Sequence, residues 1–219
     1  MTIDKQQTLS NLTTTISQFI DTIDQLETID IQSFSSDTTL VVMIDMINGF
    51  CKFGPLHSPF VNNMVPAMSV FIDSAITSNI PIVSYRDAHP DTACEFKNFP
   101  PHCLDGTDES LLVTELDRSE LIDIPKNSTN GFLAKNPLEL VPSKTIEHIF
   151  VIGCVTDICV RDFTATMNKY LEEINQVCQV YVVENLVDTF HIEGIHDRQM
   201  EHVLALYQLN NSGIKLVRV

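Results

Sequence analysis

Positive charge is scarce in this 219-residue chain: 13 Lys and Arg stand against 29 Asp and Glu, a formal charge of −16 with histidine neutral. No basic cluster offsets that balance, which opposes binding to nucleic-acid backbones and to anionic membranes. Long apolar runs are missing too, and none approaches the ~18–20 residues of a membrane span. The opening MTIDKQQTLSNLTTTISQF lacks the basic and then apolar regions of a signal peptide. A cytoplasmic protein is expected. There is no CxxC, and six cysteines (Cys51, Cys94, Cys103, Cys154, Cys159, Cys178) do not make a dense disulfide framework in a chain this long. Reduced, each is core filler, a metal ligand or a nucleophile.

What is present is material for a core. Apolar residues make up 44% and charged residues 19%, which excludes disorder as the main description. The length suits one domain with an appendage. Leu9, Leu12, Ile16, Phe19, Ile20, Ile23 and Leu26 recur at three- and four-residue spacing and predict an N-terminal helix. The serine-rich stretch from Asp30 to Asp37 then reads as a connector, so residues 1–36 are expected to form a helical extension and 37–219 the main domain. Such a helix packs on the outside of the domain or serves as a partner-binding arm.

From Thr38 the pattern alternates strand and helix. Leu40–Ile44 and Ile146–Ile152 are continuous apolar runs of the kind buried on both faces in a parallel sheet. Ile80–Tyr85, Val177–Val183 and Ile214–Val219 read as further strands. Helices are expected over Val61–Ala75, over Asp157–Ile174 and around Met200–Leu206. The alternation implies an α/β fold, a three-layer doubly wound sheet, mostly parallel, with its site at the carboxyl ends of the strands.

Three candidate residues stand at or just beyond strand ends. Asp45 follows LVVMI, where a carboxylate serves as a structural acceptor as readily as a catalytic group. Lys126 follows the strand-like Leu121–Ile124, where a lone lysine is usually solvated; beside a thiol and a carboxylate it could stabilise negative charge. Cys159 lies in the turn GCVTDICV; in the first turn of a helix its thiol pKa is expected to fall, although a small buried apolar role fits the residue equally. Cys154 continues the strand and reads as core. The segment YRDAHPDTACEFKNFPPHCLDG places Asp87, His89, Glu95 and His102 within sixteen positions. Asp-x-His puts two ligands on one side of an extended chain, and two imidazoles with two carboxylates suit zinc, iron or manganese. A polar surface loop is the open alternative.

Together VVMIDMINGF, SYRDAHPD, FPPHCLDGT, IPKNSTNGF and GCVTDICV resemble the cysteine hydrolase family that includes isochorismatases and nicotinamidases. The resemblance runs from about Thr38 to the carboxyl terminus and leaves the N-terminal helix outside. Asp-x-His followed by PPHCxxGT points to the nicotinamidase branch. The resemblance implies the isochorismatase-like hydrolase fold, with Cys159 as nucleophile, Asp45 as proton acceptor and donor, and Lys126 as third catalytic residue. It implies Asp87, His89, Glu95 and His102 as ligands of a divalent metal, zinc foremost. It also implies a cis peptide between Cys154 and Val155, an oxyanion hole from the Val155 and Cys159 N–H groups, and Phe50 and Phe99 on the two faces of a pyridine ring. The implied partner is a small amide substrate, with self-association left open. The chain departs from the family pattern in having Leu133 after Phe132, where nicotinamidases carry a Tyr-containing stretch, in its N-terminal helix and in having only seven glycines. Rival readings are a family hydrolase acting on an ether, carbamoyl or ureido substrate, and a binding module that uses the acidic N-terminal helix. A binding module has no need of the trio Asp45, Lys126 and Cys159.

Overall fold

The computed structural model describes residues 3–219. Six strands, β1 (Thr39–Ile44), β2 (Ile82–Asp87), β3 (Ile122–Lys126), β4 (His148–Cys154), β5 (Gln179–Asp188) and β6 (Lys215–Val217), form one sheet in the order β3-β2-β1-β4-β5-β6. All five pairings are parallel. The order reverses at β1, so a crevice opens beyond the carboxyl ends of β1 and β4, the usual place for a site in such sheets.

The helices are α1 (Lys5–Ile23), α2 (Asn48–Cys51), α3 (Pro59–Asn63), α4 (Val65–Thr77), α5 (Gly131–Ala134), α6 (Arg161–Glu173) and α7 (Arg198–Asn211). Strand alternation divides the core into two layers. Val41 and Met43 of β1 face Met68, Phe71 and Ile72 of α4, and Leu40, Val42 and Ile44 face the layer built by α6 and α7. Both faces of β1 are therefore dry, which is why its sequence is uninterrupted hydrophobic; each such side chain stabilises the fold by ~1.5–3 kcal/mol.

Helix starts follow capping chemistry: Asp4 accepts from the Gln7 N–H at 3.0 Å and Asp197 from the Met200 N–H at 2.9 Å. The helix expected over Val61–Ala75 is two helices that meet at Met64, with Pro66 in the first turn of the second. The first helix stops at Ile23, short of Leu26, and packs its Phe19 edge-on against Tyr207 of α7 at 5.3 Å. The connector is not free: Ile31 is buried in a short 3-10 turn, Phe34 stacks edge-on with Phe150, and Thr28 bridges to Arg218. Strand β5 begins at Gln179 and runs five residues past Val183, with a register shift against β4 between Val151 and Gly153.

Gly153 lies where the backbones of β1 and β4 leave no room for a side chain. It sits at φ +117°, and a Cβ there would lie 2.0 Å from the Ile44 carbonyl oxygen. Only glycine fits, and the contact sets Cys154 and the following turn directly beside Asp45.

Candidate active site

Asp45 follows β1 with φ +55°, in the left-handed region that single Asp residues tolerate. Its carboxylate is wholly buried, and Oδ1 accepts from the Asp87 N–H at 2.9 Å. Lys126, the last residue of β3, is also buried; its Nζ stands 2.8 Å from Asp45 Oδ2, donates to Asp87 Oδ1 at 2.5 Å and to the Ser128 carbonyl at 3.0 Å, and reaches Cys159 Sγ at 3.9 Å. The contact to Asp45 is an ion pair outside hydrogen-bond geometry, so Oδ2 remains a buried acceptor without an aligned donor. Carboxylate oxygens of Asp45 and Asp87 and the Cys159 sulfur lie within 4.8 Å of one another.

Cys159 stands in a turn of π-helix, Thr156–Val160, between β4 and α6, closed by a Val160 N–H bond to the Val155 carbonyl at 3.2 Å. Such a turn often marks a functional site. The Cys154–Val155 peptide is cis. Cys154 is core, as expected, its thiol donating to the Asp45 carbonyl at 3.1 Å.

Electrostatics correct one expectation. Burial pushes the Cys159 thiol well above the usual range; Lys126 pulls it down, but Asp45 and Asp87 add to the rise. The helix-terminus argument fails because desolvation of a fully enclosed thiolate outweighs a helix-terminus effect. The resting site thus holds a neutral thiol. Burial, then Asp87, raises the Asp45 carboxyl to about 7 against the pull of Lys126. Burial also acts on Asp87, but the Lys126 ammonium beside it holds that carboxyl below its usual value. Lys126 stays charged, since the two carboxylates overcome its desolvation.

Asp87 ends β2, and the loop beyond it brings His89, Glu95 and His102 to the same place, ligand atoms of all four within 4.8 Å of one another. Each imidazole turns Nδ1 away from the cluster: His89 Nδ1 pairs with Asn127 Oδ1 and His102 Nδ1 with the Pro100 carbonyl, both at 2.8 Å. Those acceptors put the proton on Nδ1 and leave the Nε2 lone pairs free, the tautomer that metal-ligating histidines take. Both Nε2 atoms face Asp87 Oδ2, at 3.5 and 3.9 Å, and His89 Nε2 is buried with no hydrogen-bond partner. A lone pair against a carboxylate in a dry site calls for a cation between them. The donor set fits a divalent metal.

A small cavity, with about 30 Å³ open to the centre of a water molecule, joins the two clusters. Its walls include Phe50, Phe99, Asp87, Glu95, His102, Val155 and Cys159, so the expected aromatics and oxyanion-hole residues meet at one place. Leu56, Thr129, Ile158 and Phe190 also line it and were not anticipated. Phe190 lies just past the unforeseen end of β5; the apolar Leu186-Val187 pair after Val183 was the available signal.

A family model described as Isochorismatase domain matches residues 39–209. Nicotinamidase 1 of Arabidopsis thaliana is 29% identical over 206 residues, covering 81% of this chain and 84% of that protein. Among solved structures, pyrazinamidase/nicotinamidase from Streptococcus mutans superposes with a TM-score of 0.70 at 21% identity, over 82% of this chain and 100% of the other. Pyrazinamidase of Pyrococcus horikoshii in complex with zinc gives 0.68 at 21% identity, over 83% and 99%. At these identities the structural likeness speaks for the fold.

Proposed function

The chain belongs to the isochorismatase domain family, and from that premise we propose that it is a cysteine amidohydrolase, a nicotinamidase that converts nicotinamide and water to nicotinate and ammonia. In this reading residues 37–219 form the hydrolase domain and residues 1–36 an N-terminal extension, whose helix α1 packs Phe19 against Tyr207 of that domain. The observation that carries it is the double engagement of Asp87: Oδ1 holds the Lys126 ammonium that faces Asp45 and Cys159, while Oδ2 faces the two imidazole Nε2 atoms. A nucleophile cluster and a metal-fitting cluster thereby share one residue and one cavity.

An amide carbonyl is a poor electrophile, so the site must generate a thiolate only when substrate is present. Asp45 Oδ2 takes the Cys159 proton, and the thiolate attacks the amide carbon. Negative charge moves to oxygen, where the Val155 and Cys159 N–H groups are the proposed donors. Asp45 returns the proton to nitrogen, the C–N bond breaks and ammonia leaves a thioester on Cys159. Water loses a proton to Asp45 and attacks the thioester; the C–S bond breaks, the proton returns to sulfur and nicotinate departs. Lys126 balances the carboxylate charge throughout.

Asp87, His89, Glu95 and His102 would hold the divalent cation, zinc before iron or manganese. When bound, it supplies a Lewis-acid contact for the ring nitrogen that orients the substrate rather than activating the carbonyl. Phe50 and Phe99 would flank the ring. Purified protein assayed for metal content and for nicotinate and ammonia from nicotinamide tests the reading. Ammonia release from carbamoyl or ureido compounds but not from nicotinamide would assign the chain to another hydrolase activity of the family.

A further inference from the structure

The loop of residues 189–197, between β5 and α7, supplies Phe190 to the cavity wall yet has little packing of its own. At its tip Ile195 is 81% exposed and the Glu193 side chain 97%. Its base is closed by a two-pronged ion pair, Arg198 Nε to Asp188 Oδ1 at 2.8 Å and Nη2 to Oδ2 at 2.6 Å. Ile192 and His196 bridge across the turn through two backbone hydrogen bonds of 2.9 Å.

What ties this loop to the cavity is the His196 ring. It stacks on Phe190 with centroids 3.9 Å apart and planes 19° from parallel. Nδ1 meets the Phe190 carbonyl at 3.0 Å, and Nε2 meets Asp157 Oδ2 at 2.9 Å. Asp157 stands two residues before Cys159 in the π-helical turn. One imidazole therefore braces the third aromatic wall of the cavity against the segment that carries the nucleophile. Phe50 and Phe99, which line the same cavity, both approach His102 of the metal-fitting loop, at 5.7 and 6.2 Å.

We propose that His196 is a positioning residue that sets substrate selectivity: by clamping Phe190 to Asp157 it holds the cavity to the width of one flat aromatic ring. The proposal rests on the amidohydrolase reading for its substrate, but the clamp itself does not. His196 touches neither the reacting atoms nor the metal-fitting cluster, so its loss acts on binding.

The test is a cycle of His196→Ala, Phe190→Ala and the double variant, with KM and kcat measured on nicotinamide. Each single change should raise KM by roughly 10-fold or more, the size of losing one wall of an apolar pocket, with kcat nearly unchanged. The double variant should be no worse than Phe190→Ala, because an unclamped Phe190 has already left its place. Additive effects, an unmoved KM in His196→Ala, or a fall in kcat without a change in KM would overturn the proposal. If the wild-type protein hydrolyses no nicotinamide, the functional reading fails, and hydrogen exchange then decides the clamp by itself. The amides of Ile192 and Ile195 should exchange faster in His196→Ala, and unchanged exchange would overturn the proposal.

Discussion

Replacing Lys126 by Met probes the electrostatic centre of the site. The Lys126 ammonium is enclosed between Asp45 at 2.8 Å and Asp87 at 2.5 Å, all three side chains essentially without solvent contact. Methionine matches the length of the stem and removes the charge together with the hydrogen bonds that Nζ donates to Asp87 and the Ser128 carbonyl. Leaving buried carboxylates without their partner costs about 3–5 kcal/mol. For a domain of this size that lowers Tm by roughly 6–20 °C, at ~2–4 °C per kcal/mol. The loss has a definite pH dependence. Asp45 already sits at about 7 with Lys126 beside it, above the ordinary 3.8, so its contribution to stability is present at low pH and is lost as pH rises through the folded value. Without the lysine that value climbs further. A proton then replaces the missing charge, so the gap between wild type and variant should narrow near pH 5 and widen near pH 8. Thermal unfolding should be followed with chelator present, so that no cation on Asp87 substitutes for the ammonium. At neutral pH the variant's Asp45 is protonated and cannot act as base, and turnover should fall by about 10²–10⁴. A Tm gap that does not change with pH, or turnover within ten-fold of wild type, would refute the electrostatic role of Lys126.

Cys159→Ala should abolish nicotinate formation with little change in Tm, whereas Cys154→Ala should keep turnover and lose stability through its trimmed side chain; unfolding curves and product assays separate the two. His89→Ala should lower the bound divalent metal measured by elemental analysis, since it removes the Nε2 atom that has no other partner; full metal content would place the cation elsewhere. Gly153→Ala should abolish soluble expression or severely lower Tm, because its Cβ would meet the Ile44 backbone at 2.0 Å; a variant with native Tm would contradict the close approach of β1 and β4.

Elements buried on both faces were plain in the sequence, because β1 and β4 are continuous apolar runs and nothing else competes for that pattern. The candidate site cluster was legible for a related reason: Asp45 directly follows β1, Cys159 stands in the turn beyond β4, and His89 keeps an extended spacing from Asp87 at the end of β2. Features that depend on three-dimensional enclosure were not. The first turn after β4 has the hydrophobic pattern of an ordinary helix, and its π geometry depends on the extra residue between Val155 and Val160. The Cys159 thiol was expected to acidify, but sequence does not report how completely α6, β4 and the Lys126 strand wall it off. Phe190 was hidden by the register shift that carries β5 on to Asp188. The serine-rich connector looked unattached because the apolar residues that anchor it, Ile31 and Phe34, have no period, and Lys144, which donates to the Ser36 carbonyl at 2.7 Å, is far away in sequence.

Ammonia release from nicotinamide, pyrazinamide and benzamide, each assayed before and after metal removal, tests the joined clusters most directly. Benzamide has the ring and the amide but no ring nitrogen, and a site built around a polar contact strongly rejects an analogue that lacks it. The metal-loaded protein should therefore prefer nicotinamide and pyrazinamide by a wide margin. Stripping the metal should raise KM steeply for those two and change benzamide much less. If the metal-free protein keeps the same order of preference as the loaded one, Asp87, His89, Glu95 and His102 do not orient the substrate, and the account of the site is wrong.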